Sequence, residues 1–230
     1  MRGDNFLKTP IWFPMKPSGN QKIYIVLYVT TIMTRSSKRK NGIIKAKEIE
    51  LNEAYRKCLY WFFAFPSKEM SLNDLASMLK ISKRTAREVI NRLSEEGFLR
   101  VEELGKMLRI SCNFEHFYNK TLKISSNLER VYLSGIIQEI YKIIPNAKAI
   151  ILFGSYRKGD DNEKSDIDIA VEILGNNELK VISLGVISEF GYRKDVPVNL
   201  YIFSRNKIDL NLFSNISNGI VLDGFLEVRP

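Results

Sequence analysis

Two cysteines, Cys58 and Cys112, and one histidine, His116, are all that 230 residues contain of either type. There is no CxxC pair and no convincing secretory segment, which excludes a disulfide framework and leaves too few soft ligands for a structural zinc site. Any metal here would be held by oxygen. Long apolar runs are missing as well. The stretch from Ile23 to Met33 is too short to span a bilayer, and SSKRK follows it where a signal peptide would place small residues. The expectation is a cytoplasmic protein with no membrane partner. What remains, 45% apolar and 27% charged residues, is the composition of a globular chain long enough for two small domains.

The net charge of +9 is unevenly placed. Residues 1–46 carry nine Lys or Arg against one Asp, whereas 47–112 balance to +2, 113–147 to +1 and 148–230 to −2. The basic excess is an N-terminal arm. Such an arm either meets nucleic acid through phosphate contacts and counterion release or is a solvated tail. Translation beginning at Met15 or Met33 would shorten it.

From Leu51 a helical period sets in, with Leu51, Ala54, Tyr55, Cys58, Leu59, Phe62 and Phe63 at i, i+3, i+4 spacing until Pro66 and Ser67 break it. Ser71 with Asp74 makes a capping-box start for a second helix, SLNDLASMLK. Ser82 then caps KRTAREVINRLSEEG, whose buried stripe is Ala86, Val89, Ile90 and Leu93 and whose end is Gly97. FLRVEE and MLRISC read as two strands about a Leu104-Gly105-Lys106 turn.

Over residues 47–112 this succession resembles a winged helix-turn-helix domain. The resemblance implies a recognition helix offering Lys83, Arg84, Arg87 and Asn91 to duplex DNA, with Lys106 at the wing tip on the backbone. A protein–protein module or a solvated helix face accounts for the same residues without DNA. In the connecting segment, 113–144, Leu128, Val131, Tyr132, Gly135, Ile136, Ile140 and Ile143 form one helical stripe, ended by Pro145.

The last segment, 145–230, carries the chemistry. KAIILF, ending at Phe153, reads as a buried strand; Gly154-Ser155 follows at once, and then a polar loop leads to Ser165-Asp166-Ile167-Asp168-Ile169-Ala170-Val171. Alternate side chains of a strand share a face, so Asp166 and Asp168 project together while Ile167 and Ile169 point to the core. Burying two unpaired carboxylates is costly. Two on one face near a strand end form a chelate for a hard cation such as Mg²⁺, which would supply the missing counter-charge. Gly154 permits close backbone approach to a phosphate, and Ser155 at the head of a short helix adds a hydroxyl beside free N–H groups. The other reading is a turn followed by an edge strand whose aspartates face solvent.

LFGSYRKG followed by SDIDIAV resembles the DNA polymerase β-like nucleotidyltransferase superfamily, and with a preceding winged helix looks like its minimal nucleotidyltransferase type. The resemblance implies that Gly154 and Ser155 bind the β- and γ-phosphates of a nucleoside triphosphate, with Arg157 or Lys158 assisting. Asp166 and Asp168 would hold Mg²⁺ or Mn²⁺. The family's third carboxylate falls at Asn199 in VPVNLYIF, where an amide cannot accept a proton at neutral pH. Asp195 lies four residues away, roughly 13 Å at normal strand rise.

The expected fold class is therefore α+β: an N-terminal winged helix-turn-helix domain, then a nucleotidyltransferase-fold α/β domain with a small mixed sheet. Strands are expected near 148–153, 166–173 and 197–203, and helices near 155–159, 177–190 and 206–218. The expected function is transfer of a nucleoside monophosphate to a hydroxyl acceptor. The alternative is a catalytically impaired DNA-binding regulator or antitoxin-like protein that uses the domain to bind nucleotide or protein. A protein partner or a second copy of the chain belongs to either reading, since a second chain could complete the site.

Overall fold

The computed structural model describes residues 52–105 and 107–228. The basic arm at 1–46 and the wing-tip residue Lys106 lie outside the described residues. All described residues belong to one compact unit, 50–230.

Its first part is three helices and a small sheet. Helix α1 (Glu53–Ala64) starts where the Asn52 side chain accepts from the Tyr55 N–H at 2.9 Å. Helix α2 (Leu72–Leu79) starts at Ser71, whose hydroxyl accepts from the Asp74 N–H at 3.2 Å, as expected of its N-cap; the Asp74 carboxylate accepts from that same hydroxyl at 2.6 Å, where a full capping box would have it accept from the Ser71 backbone N–H. Helix α3 (Lys83–Glu95) is capped by Ser82 and buries Ala86, Val89, Ile90 and Leu93. Strands β1 (Met70–Ser71), β2 (Leu99–Leu104) and β3 (Met107–Cys112) form a sheet in the order β1-β3-β2. Tyr55, Phe62, Leu75, Leu93, Phe98 and Ile110 fill the space between helices and sheet. Each such side chain contributes about 1.5–3 kcal/mol through burial.

The connecting segment departs from the single helix expected. It is α4 (Leu122–Leu133) and α5 (Ile136–Ile143), parted at Gly135, whose φ of +75° ends one helix and re-aims the next. Val131, Ile136 and Ile140 from the two helices still reach one core.

The second part is a five-stranded mixed sheet in the order β6-β7-β5-β4-β8: β4 (Ala149–Phe153), β5 (Ile167–Glu172), β6 (Lys180–Phe190), β7 (Arg193–Phe203) and β8 (Ile220–Gly224). β5 and β7 run parallel; every other pair is antiparallel. All five residues of β4 are buried, because both faces of the sheet are covered. One face packs Ile150, Leu152, Ile167, Ile169, Val198 and Leu200 with residues of α4 and α5. On the other, Ile151, Ala170 and Phe203 pack with Ile216 of α7 (Leu210–Ser217).

Two expectations need correction here. The segment 177–190, expected to be helical, holds the strand β6, which turns back at Gly191 into β7. A bulge between Ser183 and Gly185 shifts the alternation, so the inward residues are Ile182, Leu184 and Ile187, at spacings of two and three that break the strand period. The helix expected over 206–218 is a 3₁₀ turn, Arg205–Lys207, followed by α7, which Asp209 caps. Among the described residues no helix is long and apolar enough to cross a membrane.

Candidate active site

β4 ends at Phe153, opposite Asp168 on β5, and Asp168 in turn lies opposite Asn199 on β7. Ile167 and Ile169 are fully buried on the face that α4 and α5 cover, as the alternation requires, so Asp168 points to the other face with Asn199. Asp166 lies just before the strand and joins them. The Asn199 amide N–H₂ donates to Asp166 Oδ2, and to Asp168 Oδ1 at 3.3 Å. Three side chains, one from β7, one from β5 and one from the loop just before β5, thus meet at one point, and the amide supplies the positive end of a dipole to two negative groups.

Burial pushes the Asp168 carboxyl above the ordinary carboxylate range, with the Asp166 charge adding to the rise; hydrogen bonds from Asn199 and Tyr201 partly oppose it. Among the described residues no group of three or more His, Cys, Asp or Glu side chains comes together. The donor set is two carboxylates and an amide. Turning the amide about its χ2 would exchange Nδ2 for Oδ1 and give three converging oxygens, a set that fits a hard divalent cation.

Gly154 opens the short helix α6 (Gly154–Lys158) with φ +72°. A Cβ there would lie 2.5 Å from Asp168 Oδ2, so glycine is required by conformation and by space. Gly154→Ala is expected to lower stability by about 1–3 kcal/mol, from left-handed strain and displacement of the carboxylate. Chemical denaturation measures it; a change below about 0.5 kcal/mol, the level of an ordinary surface substitution, would contradict it. Arg157 and Lys158 line a cleft of about 180 Å³ with Phe153, Gly154, Asn215 and Asn218, on the side of Gly154 toward α7. Ser155, half-buried, follows Gly154 in the first turn. Asp195 is exposed, with φ +50°, and takes no part in the Asp166–Asp168–Asn199 cluster.

The spacing of motifs gave no sign of the parts that hold the loop before Asp166. Arg193, buried at the start of β7, donates to the carbonyls of Ser165 at 2.6 Å and Glu163 at 3.1 Å, and to the Tyr156 hydroxyl. Deeper in the same loop Asp161 is buried with Lys123 and Asn127 of α4. From the first part of the unit, Ser67 donates through its N–H and hydroxyl to the Glu163 carboxylate at 3.1 and 2.8 Å.

Lys83, Arg84, Arg87 and Asn91 are all exposed on α3. Arg84 is spent in part on an ion pair with Glu88 at 3.1 Å.

Residues 136–222, which contain the whole cluster, match the family described as "Polymerase beta, Nucleotidyltransferase". A Methanocaldococcus jannaschii protein, provisionally named a protein adenylyltransferase, is 50% identical over 42 residues, 18% of this chain. The match spans 38% of that relative's length. A solved structure, disulfide-formed AbfR, overlaps 41% of this chain and 62% of its own at 18% identity and a TM-score of 0.25, too low to carry an argument. The likeness to nucleotidyltransferases thus lies within residues 136–222, and the likeness to the named relative is confined to 42 residues.

Proposed function

We propose that this chain is a metal-dependent nucleotidyltransferase that moves a nucleoside monophosphate from a nucleoside triphosphate to a hydroxyl acceptor. The observation that carries the reading is the meeting of Asp166, Asp168 and Asn199 directly beside Gly154. Asp166 and Asp168 would hold Mg²⁺ or Mn²⁺, with Asn199 able to add its amide oxygen. A cation so held supplies charge neutralisation to a polyphosphate. The chain's own groups do the rest. Gly154 and Ser155 give the β- and γ-phosphates a close backbone approach, while Arg157 and Lys158 line the adjoining cleft with positive charge. The acceptor's proton has two candidate bases, Asp166 and Asp168, because Asn199 cannot take one. The relative's name makes adenylyl transfer to a protein hydroxyl the first combination to test.

For residues 47–112 the proposal is a winged helix-turn-helix domain that binds duplex DNA. Support comes from the short connection between α2 and α3, the exposed Lys83, Arg84, Arg87 and Asn91, and the β2–β3 hairpin that follows. A second reading has its own observation. The Asn199 amide donates to both carboxylates and occupies the lone pairs that a cation would use, which suits a regulator that binds nucleotide, protein or DNA without turnover.

The test is incubation of the full chain with each α-labelled nucleoside triphosphate and Mg²⁺ or Mn²⁺. Label appearing on an acceptor and vanishing in Asp166→Ala is the expected result. Absence of transfer from all four triphosphates, with nucleotide retained and duplex DNA shifted in a gel, would establish the regulator instead.

A further inference from the structure

Arg56 and Arg130 meet on one tyrosine, and among the described residues neither is in an ion pair. Arg56 and Tyr60 stand one turn apart on α1, with the Arg56 guanidinium carbon 5.5 Å from the Tyr60 ring centre and Nη2 3.5 Å from the hydroxyl. Arg130 reaches the same ring from α4, its guanidinium carbon 5.1 Å from the centre. The Arg130 Nε donates to Ser126 Oγ at 3.4 Å; its two Nη groups donate to no protein acceptor among the described residues. Lys57, beside them, is already tied to Glu53 at 2.6 Å. Glu129 attracts both arginines and pairs with neither.

Gly191, in the turn from β6 to β7, makes room for the second guanidinium. Its φ is +67°, and a Cβ there would collide with Arg130 Nη1 and Cζ. Arg130 therefore lies against the turn as well as the Tyr60 ring, half-buried and restricted in the directions its fork can take. Burial pushes this guanidinium below its ordinary range, with Tyr60 and Glu129 opposing, yet it stays charged at any physiological pH. A half-buried charge without a counter-ion is costly, and a second cation on the same ring adds repulsion. Both arginines line a cleft of about 340 Å³ with Lys57, Tyr60 and Tyr192, which is room for a small ligand.

We propose that this cleft binds a phosphate group in its dianionic form, as inorganic phosphate or as the terminal phosphate of a small monoester, with Arg130 and Arg56 as its charge partners. A guanidinium offers a planar fork to two phosphate oxygens at once, and the contacts of Arg130 with Tyr60 and Gly191 set that fork before a ligand arrives. Two cations without partners match the charge of about −2 that a phosphate monoester carries near neutral pH; a carboxylate or a phosphodiester supplies half of it. Tyr192, half-buried and within electrostatic reach of Lys57 and Arg130, adds a phenol donor. The cleft is built by α1, α4 and the β6–β7 turn, whereas Asp168 and Asn199 lie on the sheet face opposite α4. It is therefore a second site, and it stands whether or not the aspartates hold a metal.

Isothermal titration calorimetry on the full chain, at fixed ionic strength near neutral pH, tests it, with circular dichroism as the check on folding. Inorganic phosphate and AMP are expected to bind, and acetate and cyclic AMP, each with a single charge, to bind about tenfold more weakly or less. Equal affinity for phosphate and AMP assigns the site to the phosphate group alone; tighter AMP adds a contact between nucleoside and tyrosine, and either result supports the dianion site. Arg130→Gln and Arg56→Gln each remove one charged donor and should weaken phosphate binding about tenfold or more. Arg56 is exposed, so its variant reads the site even where Arg130→Gln alters folding. Arg157→Gln/Lys158→Gln, which strips the cleft beside Gly154 of its cations, should leave the binding in place. Phosphate held no more tightly than acetate, an affinity unchanged in Arg56→Gln and in folded Arg130→Gln, or binding lost with Arg157 and Lys158 would each overturn the proposal.

Discussion

Lys123→Ala should cost this protein about 3–5 kcal/mol, the usual penalty for stranding one partner of a buried ion pair. Lys123 is 1% exposed and Asp161 4%. The ammonium donates to the Asp161 backbone carbonyl and lies 3.3 Å from its carboxylate, which also accepts from Asn127 at 2.8 Å. Burial pushes the Lys123 ammonium below its ordinary range and the Asp161 carboxyl above its own, in each case against the attraction of the other. Desolvation is therefore the larger influence on both. The pair adds little net stability over an apolar pair of equal volume, yet removing one member leaves the other charged and dry. For a unit of this size the melting temperature should fall by about 6–20 °C. Lys123→Met/Asp161→Asn, which removes both charges and keeps an acceptor for Asn127, should recover most of that loss. A drop below about 1 kcal/mol for Lys123→Ala in urea denaturation, the worth of an exposed pair, would show that water reaches Asp161.

The pair also bears on what could be read from the chain. Helices α2 and α3 were legible because their signals are local: Ser71 with Asp74 and Ser82 mark the starts, and the apolar stripes repeat within one helix. The aspartates at 166 and 168 were legible because alternation in a strand is local too, whereas Asn199 stood out only through the family resemblance, as the position of the third carboxylate. Lys123 and Asp161 are 38 residues apart, and nothing in either neighbourhood announces the other. Arg193 holds the carbonyl of Ser165 from 28 residues away and reads, in sequence, as one more surface cation. β6 failed for a different reason. Its bulge puts Ile182, Leu184 and Ile187 at spacings of two and three, so the period that should have shown a strand was broken at its middle. Gly135 hid the break between α4 and α5 in the same way, since a glycine within a helical stripe is tolerated until its φ turns positive.

Asn199→Asp is expected to turn a stable, poorly equipped site into a strained, better equipped one. The substitution removes both hydrogen bonds to Asp166 and Asp168 and sets a third negative charge against them. Two unit charges 4 Å apart interact by about 4 kcal/mol at the effective dielectric of a partly exposed site. Metal-free variant should therefore melt several degrees below wild type near neutral pH. The new carboxyl, crowded by two others, is held above its unfolded value, so the penalty is full above the folded-state value and is lost as pH falls through it toward about 4. A divalent cation should reverse the order. At about a hundredfold excess over its dissociation constant, Mn²⁺ contributes about 2.7 kcal/mol of stability; the variant, with three carboxylates, should gain more than wild type. Transfer from labelled nucleoside triphosphate should rise about 10²-fold or more, because the lost ligand and base is restored. Melting curves with and without Mn²⁺ read the electrostatic half of the argument independently of turnover. If the variant shows the cation-dependent stabilisation without transfer, the site binds metal and the reaction needs a group this chain does not bring to it. If Mn²⁺ stabilises neither protein, the two aspartates do not form a metal site, and the proposed chemistry falls with them.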